Sequence, residues 1–221
     1  MMYLFKKMKH IFLGILLFNT LLFATESSVF LTSQHIYNTM QRSSYEHKRF
    51  VDETSGTYNV DCSSFIGFII EKVSPKANAI LPIDAPHKRA LAKNFYEFLQ
   101  GLSASEVKDG WMGIARMDEL EKGDIIAWKY DPSLHKTDTG HVVMVYEKPI
   151  LEADGRYKIR VMDSSKGKHA NDSRDETSTG IGIGTMWFRV DEHGVPNGLY
   201  WSDKSKKISE HAIAMGRVVT P

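Results

Sequence analysis

The chain of 221 residues has one cysteine, Cys62, in the stretch Asn59-Val60-Asp61-Cys62-Ser63-Ser64-Phe65. A thiol there can act as a nucleophile if a base removes its proton, because the thiolate is the reactive form and a free thiol is only slightly ionised at neutral pH. Asp61 reads as a helix N-cap and Cys62 as the first residue of an apolar helix, where unpaired N–H groups and the helix dipole favour an anion. The charge of Asp61 opposes ionisation, so helix position alone cannot activate the thiol and a histidine is required. The competing reading is a small buried hydrophobe, the commoner fate of a free cysteine.

Nine histidines are available, and His10 falls in the leader discussed below. His35, His47, His87, His169, His193 and His211 stand in polar or turn-rich surroundings and read as surface residues, while His135 lies in a loop between two strands. His141 opens a run, Val142 to Tyr146, that is apolar on both faces, which makes it the candidate base or else an ordinary core or edge histidine. In YKIRVMD, alternation puts Asp163 on the face of Tyr157, Ile159 and Val161. A carboxylate on an apolar face is costly without a partner, and His141 on the preceding strand is the natural one. Otherwise Asp163 ends its strand and caps the Ser164-Ser165 turn. Should Asp163 stand apart from His141, His169 and Asn171 are the next candidates for the third group.

These side chains need helices first and strands after. The spacing predicts a helix within 29–49, a loop over 51–60, a buried helix from Ser63 to Val73 closed by Ser74-Pro75, and an amphipathic helix over 87–102. The period then changes from helical to alternating in DIIAWKY, GHVVMVYE, YKIRVMDSS, TMWFRV, LYW and AIAMGRVV, with Asp154-Gly155 marking a turn. Helices followed by an antiparallel meander define an α+β class.

Lys6, Lys7 and Lys9 precede the apolar stretch Ile11 to Ala24, which is shorter than the roughly 20 residues of a membrane-spanning helix. Residues 1–24 therefore read as a secretory signal peptide and 25–221 as a single domain that is exported and free of the membrane after cleavage. Loss of the three lysines takes the formal charge from +1 to −2, and such a chain carries no basic field for nucleic acid. Gly180, Gly182 and Gly184 alternate without a strand-to-helix context, and no HExxH, CxxC or P-loop occurs, so no metal or organic cofactor is expected. His135, Asp138 and His141 could ligate a metal only by unspecific loop spacing.

Three segments in order, DCSSF (Asp61 to Phe65), LEKGDIIAW (Leu120 to Trp128) and GHVVMV (Gly140 to Val145), resemble the NlpC-like cysteine peptidases of bacterial cell walls, within the papain-like superfamily. That family shows Asp-Cys-Ser-Gly at a helix start, then a Lys/Pro-Gly-Asp strand and a Gly-His-Val strand. The likeness covers about residues 55–165. The chain departs from the pattern in Ser64, where the family usually has Gly, in a longer excursion between helix and strands, in an unmatched tail beyond residue 180, and in Asp163, where many members have a histidine. The resemblance implies a papain-like fold with N-terminal helices packed on an antiparallel sheet. It also implies Cys62 as nucleophile, His141 as base and then acid, and Asp163 as the group orienting the imidazole. Tyr58 would be a second oxyanion donor beside the Cys62 N–H, and Asp61 and Ser63 would bind a free α-amine of a peptidoglycan stem peptide. The implied activity is periplasmic or secreted amide hydrolysis, with a CHAP-like amidase on another amide, or a silent wall- or peptide-binding module, as alternatives.

Overall fold

The computed structural model describes residues 26–134 and 138–220. The expected leader, residues 1–24, and His135 lie outside them. The architecture is α+β. Helix α1 (Ser28–Thr39) is followed by a small sheet of β1 (Arg42–Ser44), β2 (Phe50–Asp52) and β3 (Thr57–Asn59), in the order β1-β3-β2. Three more helices come next: α2 (Cys62–Val73), α3 (Pro75–Ala79) and α4 (Ala92–Gln100). The remainder is mostly strand: β4 (Trp111–Ile114), β5 (Ile125–Lys129), β6 (Gly140–Val145), β7 (Ile150–Leu151), β8 (Tyr157–Ser165), β9 (Gly180–Val190), β10 (Pro196–Tyr200) and β11 (Ile213–Val218). They form one sheet in the order β10-β9-β8-β6-β5-β11-β4, with β7 paired to β8. Every pairing in it is antiparallel.

The expected elements recur with shifted ends. The helix expected within 29–49 stops at Thr39, and the polar run after it pairs as β1. The stretch 51–60, read as loop, is largely a hairpin of β2 and β3, because the two strands turn about Gly56, which has φ +64°. The helix expected over 87–102 is only α4, since Asp84 and Arg89 form a bridge ahead of it and the Asn94 side chain accepts from Leu91 N at the true start. β4 had no visible alternation and pairs with β11, which inserts between β4 and β5.

The large sheet is buried on both faces, which is why its strands read as near-continuous apolar runs. Alternate residues Val142 and Met144 of β6 join a core with α2, α4 and α1, formed by Phe65, Ile66, Ile69, Ile70 and Phe95. Val143 and Val145 join a second core on the other face, with Ile159, Val161, Trp128, Phe188 and Met215. Among the described residues no helix is long and apolar enough to cross a membrane.

Candidate active site

Local sequence dictates how α2 presents Cys62. The Asp61 carboxylate accepts from Ser64 N at 2.8 Å, so Asp61 is the N-cap and Cys62 the first helical residue. Phe65, Ile66, Ile69 and Ile70, all fully buried, lock the helix against the sheet behind it. Cys62 is only 4% exposed. Burial is the strongest influence on its thiol and pushes the pKa up, and the charges of Asp61 and Asp163 add to this. The backbone N–H groups of Val142 and Ser63 act in the opposite sense by favouring a sulfur anion. The resting group is therefore a neutral thiol, and ionisation has to accompany proton transfer rather than precede it.

His141 enters one residue before the Val142 N–H that faces the sulfur. Gly140 precedes it for a steric reason: a Cβ there would collide with the carbonyl oxygen of Trp128 on β5. The imidazole Nε2 stands 2.6 Å from Asp163 Oδ2, which leaves Nδ1 as the nitrogen for a substrate or thiol proton. Trp128 and Trp201 flank the ring, with centroids at 5.3 Å and 5.0 Å. His141 alternates with Val143 and Val145 and so belongs to the second face of the sheet, whereas Cys62 belongs to the helix-side core.

Asp163 is fully buried inside β8, not in a solvated serine turn. Its neighbour Ser164 donates to Val60 O at 2.5 Å, which ties β8 to the residue two before Cys62. A second histidine shares the same carboxylate oxygen: His169 Nε2 lies 2.9 Å from Asp163 Oδ2, while its Nδ1 faces Trp201 O at 3.1 Å. Burial pushes the Asp163 carboxyl up, but the charge of His169 and the hydrogen bonds of His141 and His169 outweigh it and hold the group well below the usual carboxylate range. Asp163 thus contributes stability that is present above the unfolded value of about 3.9 and is lost as the pH falls below it.

The alternating glycines explain how His169 reaches this position. In the β8–β9 register Asp163 is opposite Gly182, with Gly184 and Gly180 two residues either side. Opposite residues share a face, so the three glycines leave a bare strip beside Asp163. A Cβ on Gly184 would strike the Cβ of His169, and one on Gly182 would strike the Arg174 side chain. Arg174 is clamped by Asp172 at 2.8 Å and 2.6 Å and donates to Ser165 and Gly180. Its Nη2 approaches Asp163 Oδ1 at 3.5 Å. Filling the strip with Gly184→Val is expected to lower stability by about 1–3 kcal/mol through overpacking and to displace His169. Thermal melting and the His169 imidazole resonances measure this; an unchanged melt and resonance would deny the strip that role.

His169 read as a surface residue and is buried; the period-two glycines opposite an apolar-face aspartate were the signal for it. Tyr58 is also placed differently from expectation. It is buried with its ring against Phe68 of α2, 6.3 Å between centroids, and it is absent from the cleft of about 80 Å³ that contains Cys62. Tyr45 takes that place, lining the cleft and donating from its hydroxyl to Asp138 Oδ1 at 3.2 Å. The reason is the parallel pairing of β1 with β3, which brings residue 45 past the α2 start while Tyr58 points along the helix flank.

Asp61 and Ser63 are present at the cleft but already engaged. The Asp61 carboxylate accepts from Ser64 N, from Ser63 Oγ at 3.0 Å and from Arg89 at 2.5 Å. Ser63 Oγ also accepts from Arg89 at 2.7 Å. The pair thus anchors Arg89 and has no free carboxylate face for an amine, contrary to the amine-binding expectation. Asn171, at φ +47°, turns the loop that carries His169.

His141, Asp163 and His169 also form a nitrogen–oxygen–nitrogen group within 4.8 Å of one another. Their 2.6 Å and 2.9 Å separations, both to one oxygen, are hydrogen-bond spacings. No family model, no curated protein and no solved structure matches this chain.

Proposed function

We propose that this chain is an exported cysteine hydrolase with a papain-like, NlpC-type arrangement that cleaves an amide bond, with peptidoglycan stem peptides as the substrate. The observation that carries the reading is the sole cysteine at the start of a buried, Asp-capped helix, next to a strand whose first side chain is a histidine hydrogen-bonded to a buried aspartate. The N-terminal leader read from the sequence supports export to the periplasm or beyond.

The chemistry is acyl transfer. The Cys62 sulfur attacks the amide carbonyl as His141 Nδ1 takes its proton; the imidazolium, stabilised by Asp163, then protonates the leaving amine, and water releases the acyl group. The Cys62 N–H has no intrahelical partner at that position and suits an oxyanion hole. The Tyr45 hydroxyl, at the rim of the same cleft, is the candidate second donor in place of Tyr58, with its one O–H turning from Asp138 to the oxyanion.

The burial of the thiol and the flanking of His141 by Trp128 and Trp201 favour a second reading, a silent peptide-binding module on the same scaffold. Iodoacetamide labelling separates the two. An enzyme is expected to be labelled stoichiometrically at Cys62 in the native state at neutral pH, whereas labelling that requires denaturant assigns a structural thiol. Digestion of purified peptidoglycan, with the fragments weighed by mass spectrometry, tests the substrate.

The raised thiol pKa makes a further demand on stability. A group whose folded pKa exceeds its unfolded value of about 8.5 contributes stability that is complete below that value and is lost as the pH rises through the folded pKa. The stability difference between wild type and Cys62→Ala is therefore expected to be flat from pH 6 to 8 and to shift against the wild type above pH 9. Urea titrations across that range measure it, and a constant difference would contradict the buried neutral thiol.

A further inference from the structure

The Cys62 cleft adjoins a much larger groove of about 700 Å³, with which it shares His47, Ser63, His87 and Arg89. Its wall is the solvent-side stripe of α2, where Ser63, Gly67 and Glu71 recur at intervals of four, the spacing of one helix face. At 1.5 Å per residue that stripe runs about 12 Å from the nucleophile's end of the helix, the length of three to four extended peptide residues. Gly67 at its centre leaves open space: a Cβ there would meet nothing within 4 Å.

Two features of the lining point to a ligand. Ser64, which is 1% exposed, borders the groove, and its buried Oγ has no hydrogen-bond partner. An unmade hydrogen bond at a buried hydroxyl costs on the order of 1–3 kcal/mol and is relieved by an incoming polar atom. The charges are also one-sided. Arg49 is neutralised by Glu71 and Arg89 by Asp61, but Lys48 and Lys88 have no ion-pair partner among the described residues. Glu71 is the one acidic residue in the lining. Leu81 and Ile83 add apolar surface to the lining, and Ile83 is 66% exposed.

We propose that this groove is the subsite for a carboxylate-bearing peptide, with Lys48 and Lys88 meeting the carboxylate, Ser64 Oγ donating to the chain, and Leu81 and Ile83 receiving a neighbouring apolar side chain. The inference names the substrate class of the hydrolase proposed above and rests on that reading for its link to Cys62. It places the acidic residue of the substrate along α2, within three to four residues of the bond that reaches the thiol.

The test is calorimetric binding to the full chain carrying Cys62→Ala. The probes are acetyl-Ala-Glu-Leu-Ala amide and its Gln counterpart, each at low and at physiological salt. The acidic peptide is expected to bind at least fivefold more tightly, with the preference shrinking as salt rises. Lys48→Gln with Lys88→Gln is expected to reduce the preference below twofold. Ser64→Ala is expected to weaken both peptides, and Gly67→Leu to block both by filling the groove; thermal melts confirm that each variant is folded. Equal binding of the two peptides, a preference that survives the double lysine variant, or binding of neither would overturn the proposal. Peptidoglycan digestion by the chain with Cys62 intact is scored separately. If that digestion fails while the charge preference holds, the hydrolase reading falls and the groove stands as the site of a binding module.

Discussion

Cys62→Ala is expected to lose at least a thousandfold in amide hydrolysis while lowering stability by only about 1 kcal/mol. The first figure follows because no other thiol exists in the chain, and residual rates without a nucleophile come only from binding and oxyanion stabilisation. The second follows from the size of the change: one buried sulfur is removed from a site already held by Phe65, Ile66, Ile69 and Ile70. His141→Ala is expected to lose a comparable factor, and the double variant to be no slower than either single one, because nucleophile and base act as a unit. Single-turnover rates with peptidoglycan fragments decide this. A large loss of stability with activity retained would establish Cys62 as a packing residue.

Asp163→Ala is expected to be the most damaging single change to the fold near the site. Asp163 is fully buried and faces His141, His169 and Arg174 together. Arg174 keeps its partner Asp172, but both imidazoles lose the carboxylate oxygen they share, and breaking a buried pair of this kind costs about 3–5 kcal/mol. Asp163→Asn keeps the shape and separates catalysis from folding. An amide can accept from one imidazole through its oxygen but presents N–H donors on its other side, so it cannot serve both histidines as the carboxylate does. Turnover is expected to fall by two to four orders of magnitude with KM little changed, because the imidazolium loses its anion and the ring its orientation. The acid limb of stability should change as well. Stability that the wild type loses as the pH drops below about 3.9 should be absent from Asp163→Asn, whose unfolding free energy should vary less with pH there. Turnover equal to wild type would remove Asp163 from the mechanism.

His169→Gln tests the other side of the same carboxylate at smaller cost. It is expected to keep Asp163 hydrogen-bonded and to change turnover less than tenfold, since His169 acts through Asp163. A loss as large as that of His141→Ala would make His169 the essential imidazole.

Much of this site is legible in the residues themselves. The helix start at Cys62 is a local matter: Asp61 caps it, the apolar positions recur at helical spacing, and Ser74-Pro75 ends it. The face of Asp163 also follows from period two, because alternation assigns faces without any knowledge of the partner strands, and His141 stands out as the one polar side chain opening a run apolar on both faces. What alternation cannot state is which strands are neighbours. The insertion of β11 between β4 and β5 is non-local, and so is the bridge by which Ser164 holds Val60.

The errors come from contacts that local pattern does not contain. His169 sits in a polar stretch, which composition assigns to solvent, and Tyr45 falls within the stretch 29–49 that spacing reads as helix. Only the folded chain lays residues 166–179 across the glycine strip and carries β1 past the start of α2. Tyr58, Asp61 and Ser63 have the right types at the right spacing, yet Tyr58 packs on Phe68, and Asp61 and Ser63 are taken up by Arg89 from 26 to 28 residues away. Sequence alone determined the α+β class, the capped helix carrying the thiol, and the face of Asp163, because each depends on hydrogen bonding and periodicity within a few residues. Tertiary structure alone decided which carboxylate oxygen the two histidines share, how deeply the thiol is buried, and which polar groups are left free, because those depend on contacts between segments as far as 104 residues apart.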